Sequence, residues 1–372
     1  MDLRAAPRRC LTEDQVLAFV EGRLDPELVA AVDAHAGTCA ECGEWVLQAL
    51  QICEGLAASG VREPRCPGFE PGALVSGRYL IQRRLGKGGM GDVYAARDLE
   101  LGRCVALKTV RATGCDDPRA NRRLFAEHEL ACRIEHENVC RTYQVGMLPC
   151  TDPAGADLYF ISMDLIDGEC LGHRLRRGPL PVPVVVALAR ELLRGLSAIH
   201  RARVIHRDIK SHNVMIQETP DGLRATIIDF GLAVPMDATG ASYVLGARDR
   251  SGAFTFEGSP LYMAPEQFHD GSITPAADIF SAGVVLFEAL TGALPFCRPR
   301  GDAATLGRPA EVAPSVRELV AAPLVLDAFI ARCLNPEPER RFPDATRAAT
   351  AWEAWSRLQT SDSELQVSGL DR

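Results

Sequence analysis

The chain has 372 residues and a formal net charge of -8, with 47% hydrophobic and 24% charged residues. These proportions are typical of a soluble globular protein, and the length allows two or three structural units. A nucleic-acid partner is disfavoured, because phosphate backbones bind clustered Lys and Arg side chains rather than an acidic surface.

The cysteine content indicates a reducing compartment. The 13 cysteines follow no disulfide framework and no secretory signal precedes them, so the sequence predicts reduced thiols and a cytoplasmic protein. The most apolar runs, 182–199 and 284–296, either carry charges or are too short to span a bilayer. We therefore expect no membrane anchor and no membrane partner.

Residues 1–60 are predicted to form a small all-α module that binds zinc. His35, Cys39 and Cys42 have the spacing H-x₃-C-x₂-C, and Cys10 lies upstream. Nitrogen and sulfur ligands this close in sequence can hold one metal ion, and a fourth thiolate completes a tetrahedral Zn²⁺ site. Zinc is favoured because so short a domain has little core and usually needs a metal to stabilise it.

Alternatives stay open for this module. Its cysteines could be small buried hydrophobes of a purely helical domain. Cys53 could replace Cys10 as the fourth ligand, although it lies on the helix that continues beyond Cys42. The cluster and the segment Glu21-Gly22-Arg23-Leu24-Asp25 resemble the zinc-binding domain of anti-sigma factors, which implies Zn²⁺ and a sigma-factor-like partner. Redox sensing by thiolates and a purely structural role are the other interpretations.

Downstream, prolines and glycines predict a linker over residues 61–78. From Tyr79 to about Leu165 short β-branched runs alternate with turns, and one charged stretch, 121–134, has a helical pattern. This part of the chain is predicted to be a small sheet that carries one helix. Helical patterns dominate the rest, at 184–200, 276–291 and 324–334, and residues 357–372 are predicted to form a flexible tail.

A glycine-rich turn joins the first strands of that sheet. The segment Leu85-Gly86-Lys87-Gly88-Gly89-Met90-Gly91 is followed by Val93-Tyr94-Ala95-Ala96, which continues as a strand. A dinucleotide-binding fold needs a helix at that point, so the strand favours a loop whose backbone N–H groups cover phosphates. Lys108 ends the next strand and is either a surface residue or a buried cation. As a buried cation it needs a phosphate or a carboxylate such as Glu127 or Glu129.

The most specific pattern is the charged run His206-Arg207-Asp208-Ile209-Lys210-Ser211-His212-Asn213, which lies between two apolar strands. Asp208 can accept the proton of an attacking hydroxyl, Lys210 can neutralise a transferring phosphoryl group, and Asn213 can bind Mg²⁺. Asp229 follows a second apolar strand and supplies another oxygen ligand, which suits Mg²⁺. The pattern predicts phosphoryl transfer from Mg²⁺-ATP.

In this order the motifs resemble the protein kinase superfamily over residues 79–356. The resemblance implies an α+β, bilobal protein kinase fold that follows the all-α module. It has a small β-rich N-lobe (79–163), a hinge (164–168) and a larger helical C-lobe (169–356). The sequence of the glycine loop is similar to that of bacterial serine/threonine kinases related to eukaryotic ones.

The resemblance also implies roles for single residues. Asp208 is the implied base with Lys210 as its neighbour, and Lys108 is paired with Glu127 from the helix. Asn213 and Asp229 are the implied Mg²⁺ ligands. The implied ATP-binding residues are Leu85, Gly86, Lys87, Gly88, Gly89, Met90, Gly91, Val93, Ala106, Lys108, Asp164, Ile166 and Met215.

Further features of the resemblance concern substrates and scaffold. Lys210, two residues after Asp208, is similar to kinases that act on protein Ser and Thr, so a non-specific serine/threonine protein kinase with protein substrates is implied. Glu266 is implied to pair with Arg341, and Asp278 to brace the catalytic loop.

Regulation is implied by Arg207, which resembles the arginine that orders an activation loop by binding a phosphate. Within residues 229–266 we predict that Thr255 is phosphorylated, with Ser251 as the second candidate. The kinase is expected to phosphorylate itself as well as other proteins. The alternative function is a kinase-fold scaffold or an anti-sigma-like interaction protein without catalysis. A small-molecule kinase is disfavoured by the segment Ala264-Pro265-Glu266.

Overall fold

The computed structural model describes residues 11, 15–16, 19, 24, 26–39, 42, 46, 68–88, 91–111, 130–148, 158–220, 222–237, 239–244, 247–248, 254–255, 261–268, 271–296 and 313–355. The chain divides into two compact units. The described residues of the first lie within Met1–Arg65 and include Phe296, and those of the second lie within Cys66–Pro295 and Pro309–Arg372.

The first unit is organised around helix α1, Pro26–Thr38. Proline suits the first helical position, because its missing N–H would have had no partner inside the helix. Among its described residues, the buried apolar side chains are Leu11, Val16, Val32, Cys42 and Val46, and they pack into one cluster.

The second unit begins with a six-stranded antiparallel sheet. Its strands are β1 (Leu74–Val75), β2 (Tyr79–Gly88), β3 (Gly91–Asp98), β4 (Arg103–Arg111), β5 (Thr142–Leu148) and β6 (Leu158–Asp164), in the order β1-β2-β3-β4-β6-β5. Tyr79, Leu107 and Phe160 are each at most 1% exposed and form the centre of its core. Strand β1 lies within the range 61–78 that the sequence predicted as a linker. Val75 is buried in the sheet core, and residues 71–72 and 76–78 on either side of the strand form turns.

The remainder of the second unit is mainly helical. Its elements are β7 (Glu169–Cys170), α2 (Leu171–Leu175), α3 (Val182–Arg201), β8 (Val204–Ile205), β9 (Val214–Thr219), β10 (Gly222–Ile227), β11 (Val234–Pro235), β12 (Ser242–Val244), β13 (Ala247–Arg248), β14 (Phe254–Thr255), β15 (Gly271–Ile273), α4 (Ala276–Thr291) and α5 (Leu324–Cys333). Residues 345–355 are helical as well. The small antiparallel sheets pair β10 with β9 and β9 with β7, β11 with β8, β12 with β15, and β13 with β14.

Helix α4 lies at the centre of this part and is buried along almost its whole length. Gly292 ends it with φ = 69°, and its N–H donates to the Glu288 carbonyl at 2.7 Å. Glycine suits that position because a left-handed conformation is unfavourable with a Cβ atom. The helices predicted at 184–200, 276–291 and 324–334 are confirmed, with ends that differ by at most two residues. Of the helix predicted at 121–134, only 130–132 are described as helical.

A buried ion pair ties the C-terminal helical region to the loop before α4. The fully buried Arg341 guanidinium donates to both carboxylate oxygens of Glu266, at 2.7 and 2.9 Å. It also donates to the carbonyls of Ala276, Asn335 and Pro336. The fork shape of the guanidinium allows this bidentate contact, and the predicted pair is therefore confirmed. Among the described residues, none of the helices combines the length and apolar character required to cross a membrane.

Candidate active site

The predicted catalytic loop connects β8 to β9 and places three polar side chains together. Asp208 Oδ2 accepts a hydrogen bond from Asn213 Nδ2 at 2.9 Å and lies 3.2 Å from Lys210 Nζ. Asn213 Nδ2 also donates to the Asp208 backbone carbonyl at 2.8 Å. A short 3-10 turn, Ser211–Asn213, brings Asn213 back toward Asp208. The two contacts fix the orientation of the carboxylate.

Asp278, at the start of α4, accepts hydrogen bonds from the backbone of this loop. Its Oδ2 accepts the backbone N–H of His206 and its Oδ1 that of Arg207, both at 2.8 Å. Arg207 has φ = 67°, a left-handed conformation that is strained for a residue with a side chain. Burial opposes ionisation of Asp278, but hydrogen bonds and charges from the histidines around it outweigh burial and lower its pKa. The predicted brace is confirmed.

Asp229 faces the loop from the turn after β10. Its Oδ2 lies 2.6 Å from Lys108 Nζ, and its Oδ1 accepts the Gly231 N–H at 3.2 Å. Burial alone would raise its pKa, but the positive charge of Lys108 lowers the pKa, so the carboxylate stays ionised. The residue has φ = 66°, and the ring of the following Phe230 packs on His206 with centroids 5.1 Å apart.

Lys108 is positioned by the centre of the large sheet. It pairs with Val93 on β3 and with Ile161 on β6, and its side chain is 16% exposed. The surface interpretation of Lys108 is therefore wrong, since its ammonium group lies against Asp229. Glu127, the predicted partner, and Glu129 lie outside the described residues.

The glycine-rich turn joins β2 to β3, as predicted, and Gly88 pairs with Gly91. Gly91 has φ = 149°, and a Cβ atom there would lie 1.7 Å from the Thr109 carbonyl oxygen. Only glycine fits, because the backbone of β4 occupies the space of a side chain. Gly89 and Met90 lie outside the described residues, and so does the side chain of Lys87.

The residues predicted to contact adenine lie on strands of two different sheets. Val93 is on β3, Ala106 lies on β4 opposite Met163, and Met215 lies on β9 opposite Cys170. Leu85, Gly86, Asp164 and Ile166 complete the described part of the predicted ATP set, on β2 and at the end of β6. The predicted adenine contacts are therefore divided between the six-stranded sheet and β9 of the three-stranded sheet.

Contacts to the predicted hinge were not expected from the sequence. The Tyr143 hydroxyl donates to Asp164 Oδ1, and the Arg103 guanidinium lies 3.6 Å from the centroid of the Tyr143 ring. Burial, and then the Asp164 carboxylate, raise the pKa of Tyr143 to about 12. Tyr143 is therefore neutral at physiological pH and acts as a hydrogen-bond donor that fixes Asp164.

A second unexpected contact network connects the sheet region to α3. The fully buried Asn138 donates through Nδ2 to Glu191 Oε2 and to the Ala225 carbonyl, both at 2.8 Å. Asn138 follows His136 in a turn that the sequence analysis used only to choose Glu127. Sequence separation hides such a contact, because its partner lies more than fifty positions away.

In the first unit, the predicted zinc ligands His35, Cys39 and Cys42 come together. One ligand atom from each lies within 4.8 Å of those of the other two. His35 Nε2 is buried and has no hydrogen-bond partner among the described residues. The Leu11 N–H donates to Cys42 Sγ at 3.3 Å. Cys10 and Cys53 lie outside the described residues.

The predicted phosphorylation sites are only partly described. The backbone of Thr255 belongs to β14 and pairs with Ala247 of β13, while Ser251 lies outside the described residues. Earlier in the same segment, β12 pairs with β15.

Comparisons with known proteins agree with this geometry. The family described as protein kinase domain matches residues 79–352. The chain is 31% identical to the serine/threonine-protein kinase PknL of Mycobacterium bovis over 80% of its own length and 69% of that protein. It is 33% identical to the serine/threonine-protein kinase PknA of Corynebacterium glutamicum, over 76% of its length and 57% of that protein.

A solved structure supports the fold. The crystal structure of the Mycobacterium tuberculosis PknI kinase domain superimposes with a TM-score of 0.57 at 23% identity and covers 77% of this chain and 99% of that domain. The predicted bilobal kinase fold, with a sheet-rich N-lobe and a helical C-lobe, is thereby confirmed. The chain belongs to the protein kinase family, within the bacterial serine/threonine protein kinases.

Proposed function

We propose that this serine/threonine protein kinase transfers the γ-phosphoryl group of ATP to Ser and Thr hydroxyls of protein substrates, with Asp208 as the base. The carrying observation is that Lys210 and Asn213 both contact Asp208 Oδ2, which fixes the carboxylate within the loop between β8 and β9. A fixed carboxylate can accept the proton of a serine or threonine hydroxyl as that hydroxyl attacks. Lys210 Nζ, on the same carboxylate, balances charge on the transferring group.

The donor set fits Mg²⁺. Asn213 uses its amide N–H groups on Asp208, so its carbonyl oxygen can serve as a metal ligand. Asp229 offers a carboxylate that Lys108 keeps ionised. Hard oxygen ligands in small number are what Mg²⁺ uses when nucleotide phosphates and water complete its octahedron. Bound Mg²⁺-ATP supplies the transferable phosphoryl group and positive charge beside it.

Lys108 and the glycine-rich turn bind the phosphates in this proposal. The ammonium group of Lys108 lies on Asp229 and can exchange part of that contact for phosphate oxygens. Gly91 lets the backbone of the turn approach closely, since β4 leaves no room for a side chain there. Leu85, Val93, Ala106 and Met215 would enclose the adenine between the lobes, and the hinge at Asp164 and Ile166 would bind its edge.

The test measures phosphate transfer from ATP to a generic Ser/Thr protein substrate. Asp208→Asn is expected to lower kcat by a factor of about 10²–10⁴, because the base is lost while the hydrogen bonds to Asn213 can be partly kept. Lys108→Met is expected to reduce activity strongly through ATP binding. Glu337→Gln, an exposed carboxylate paired with Arg340, is the control. Equal activity of Asp208→Asn and the parent would refute the assignment and favour a scaffold.

We also propose that the first unit binds Zn²⁺ through His35, Cys39, Cys42 and Cys10. Two thiolates of a tetrahedral zinc site lie about 3.8 Å apart, so ligand atoms within 4.8 Å need little rearrangement. The buried Nε2 of His35 lacks a partner that zinc would supply. Leu11 donates to Cys42 Sγ, which supports Cys10, its sequence neighbour, over Cys53 as the fourth ligand.

Metal analysis of the full chain tests this site. About one zinc per chain is expected for the parent, much less for Cys39→Ser and Cys10→Ser, and an unchanged content for the exposed Cys104→Ser. No zinc in the parent, or full retention in Cys39→Ser, would contradict the proposal. A sigma-factor-like partner for this unit and a cytoplasmic location stay predictions from the sequence.

We also propose that phosphorylation of the activation segment, residues 229–266, regulates the kinase. Thr255, and second Ser251, would receive a phosphate that pairs with Arg207. Mass spectrometry after incubation with Mg²⁺ and ATP is expected to find phosphate between residues 229 and 266. Its absence from this segment in an active preparation would contradict the proposal.

A further inference from the structure

The segment before β2 packs on the large sheet as a strap, which we define as residues 68–75. The strap ends in β1, whose Val75 is buried in the sheet core. The Gly72 N–H donates to the Ile81 carbonyl at 2.8 Å, and the Ile81 N–H donates to the Ala73 carbonyl at 2.9 Å. The second half of the strap is therefore bound to β2.

The first half of the strap contacts β3 on the face opposite to Val93. Side chains alternate along a strand, so Asp92 and Tyr94 share one face, and Val93, a predicted adenine contact, lies on the other. Tyr94 is 1% exposed and belongs to the same buried cluster as Val75. Phe69 packs against this cluster, and its ring centroid lies 5.4 Å from that of Tyr94. The strap thus reaches β3 from the face that does not carry the predicted adenine contact.

Two hydrogen bonds in series connect the strap to the residue that follows the glycine-rich turn. The Phe69 N–H donates to the Tyr94 hydroxyl oxygen, and that hydroxyl donates to Asp92 Oδ2, both at 3.1 Å. Burial raises the pKa of Tyr94, so the hydroxyl keeps its proton and can act as the donor. Gly68 permits the close approach, because a Cβ atom there would lie 2.9 Å from the Tyr94 hydroxyl oxygen. The strap and the tyrosine together fix the Asp92 side chain.

Asp92 in turn is connected to the glycine-rich turn. Its N–H donates to Thr109 Oγ1 at 2.8 Å, and that hydroxyl donates to the Asp92 carbonyl at 3.0 Å. The carboxylate is 7% exposed, and its Oδ1 is buried without a hydrogen-bond partner in the described part of the chain. Without the Tyr94 hydroxyl, this buried carboxylate would lose its donor and rearrange toward water. The rearrangement would reach Gly91, the preceding residue, which closes the turn by pairing with Gly88.

A turn that is held in place before the nucleotide arrives favours phosphate binding. Such a turn loses less conformational entropy when its N–H groups close over the phosphates. We propose that Tyr94 is a positioning residue whose hydroxyl, held by the strap, orders the glycine-rich turn through Asp92 and so increases the affinity for the phosphates of ATP. This inference rests on the proposed ATP-dependent reaction.

The test compares a ligand that carries phosphates with one that carries none, using the full chain. Calorimetric titration gives the Kd of AMP-PNP, a nonhydrolysable ATP analogue, in the presence of Mg²⁺, and the Kd of adenosine. A turn that covers phosphates affects only the first Kd, whereas a general loosening of the sheet affects both.

Tyr94→Phe keeps the ring and removes the hydroxyl. It is expected to raise the Kd of AMP-PNP about fivefold, as the loss of one hydrogen bond allows, and to change the Kd of adenosine by less than about twofold. The KM for ATP should rise by the same factor while kcat stays within about twofold, because bound phosphates order the turn. Phe69→Ala, which removes the ring contact of the strap, should raise the Kd of AMP-PNP about threefold.

Tyr79→Phe is the matched control, because it removes another buried hydroxyl of the same core. The Tyr79 hydroxyl donates to Gln144 on β5 and Ser162 on β6. Both Kd values are therefore expected to stay within about twofold of the parent.

Three results would overturn the positioning role while the kinase reaction stands. They are an unchanged Kd of AMP-PNP in Tyr94→Phe, an equal loss of affinity for adenosine, and the same selective loss in Tyr79→Phe. If the parent binds AMP-PNP but transfers no phosphate, the proposed reaction fails and the two Kd values still decide the role of Tyr94. A parent that does not bind AMP-PNP would refute both proposals.

Discussion

Replacing Asp278 should damage both stability and catalysis, because this carboxylate is fully buried and its contacts lie directly before the proposed base. Its two oxygens accept the backbone N–H groups of His206 and Arg207 and the Nε2–H of His200, at 2.8, 2.8 and 2.9 Å. The Ala345 N–H donates to His200 Nδ1 at 3.0 Å, so Nδ1 is an acceptor and the proton lies on Nε2.

The size of the effect follows from these three bonds. Asp278→Ala leaves three buried donors without an acceptor, and a hydrogen bond to a charged group is worth about 1.5–3 kcal/mol. Because such losses are not additive, we expect the free energy of unfolding to fall by about 4–5 kcal/mol. Asp278→Asn can keep its oxygen toward His206 and His200 but turns an NH₂ group toward the Arg207 N–H. One bond and the charge are lost, so we expect a decrease of about 2 kcal/mol.

Urea unfolding followed by circular dichroism measures the stability, and phosphate transfer from ATP measures kcat. Because the hydrogen bond to Asp278 supports the left-handed conformation of Arg207 directly before the proposed base, kcat should fall at least tenfold in both variants at temperatures where they are folded. Glu318→Ala, an exposed surface carboxylate in a short turn, is the control. The reasoning is refuted if Asp278→Ala is within 1 kcal/mol of the parent, or if Asn is as harmful as Ala.

Three further predictions concern the scaffold. Gly91→Ala should raise the KM for ATP at least tenfold, since its Cβ would meet the Thr109 carbonyl oxygen, whereas Gly86→Ala, with open space around it, should stay within about threefold. Arg341→Lys should lower the free energy of unfolding by about 3 kcal/mol, because an ammonium group cannot make the bidentate contact to Glu266. The control is Arg340→Lys at the exposed neighbouring position, which should change the free energy of unfolding in urea by less than about 1 kcal/mol. The bidentate hydrogen bonds from Arg78 lower the pKa of Asp98 to about 2. Asp98 should therefore add about 2 kcal/mol to the free energy of unfolding above pH 4, and this contribution should be lost as the pH falls toward 2. A pH series in which Asp98→Asn lowers the free energy of unfolding as much at pH 2 as at pH 7 would contradict this.

The sequence was most informative where function depends on neighbours along the chain. Asp208, Lys210 and Asn213 lie within six consecutive residues, and a single turn brings their side chains together. Their proximity could therefore be predicted from spacing alone, while their roles in catalysis stay predictions. The same holds for Gly91, because a glycine loop between two strands implies a close backbone approach. Long apolar helices such as α3 and α4 were predicted for the same reason, since their periodicity is local.

Contacts between distant segments could be predicted only where the family resemblance implied them, as for Glu266 and Arg341. Tyr143 with Asp164 and Tyr262 with Glu288 were missed, since each joins polar residues with no local pattern. A tyrosine in a strand predicts burial equally well whether or not its hydroxyl finds a carboxylate. The meeting of His173 and His212 depends on how α2 packs against the catalytic turn, which periodicity does not encode.

The pairing of β12 with β15 has a thermodynamic consequence for the activation segment. Ser242 lies opposite Ile273 and Val244 opposite Gly271, so both ends of the stretch 245–270 are fixed to one another. The free-energy cost of bringing the ends of a loop together grows only slowly with its length, by about 0.6 kcal/mol for each doubling. The pairing of β12 with β15 already offsets this closure cost for the stretch 245–270. The phosphate proposed at Thr255 would therefore act on a segment whose end-to-end closure is already made, so its charge-assisted hydrogen bonds would not have to offset that entropy.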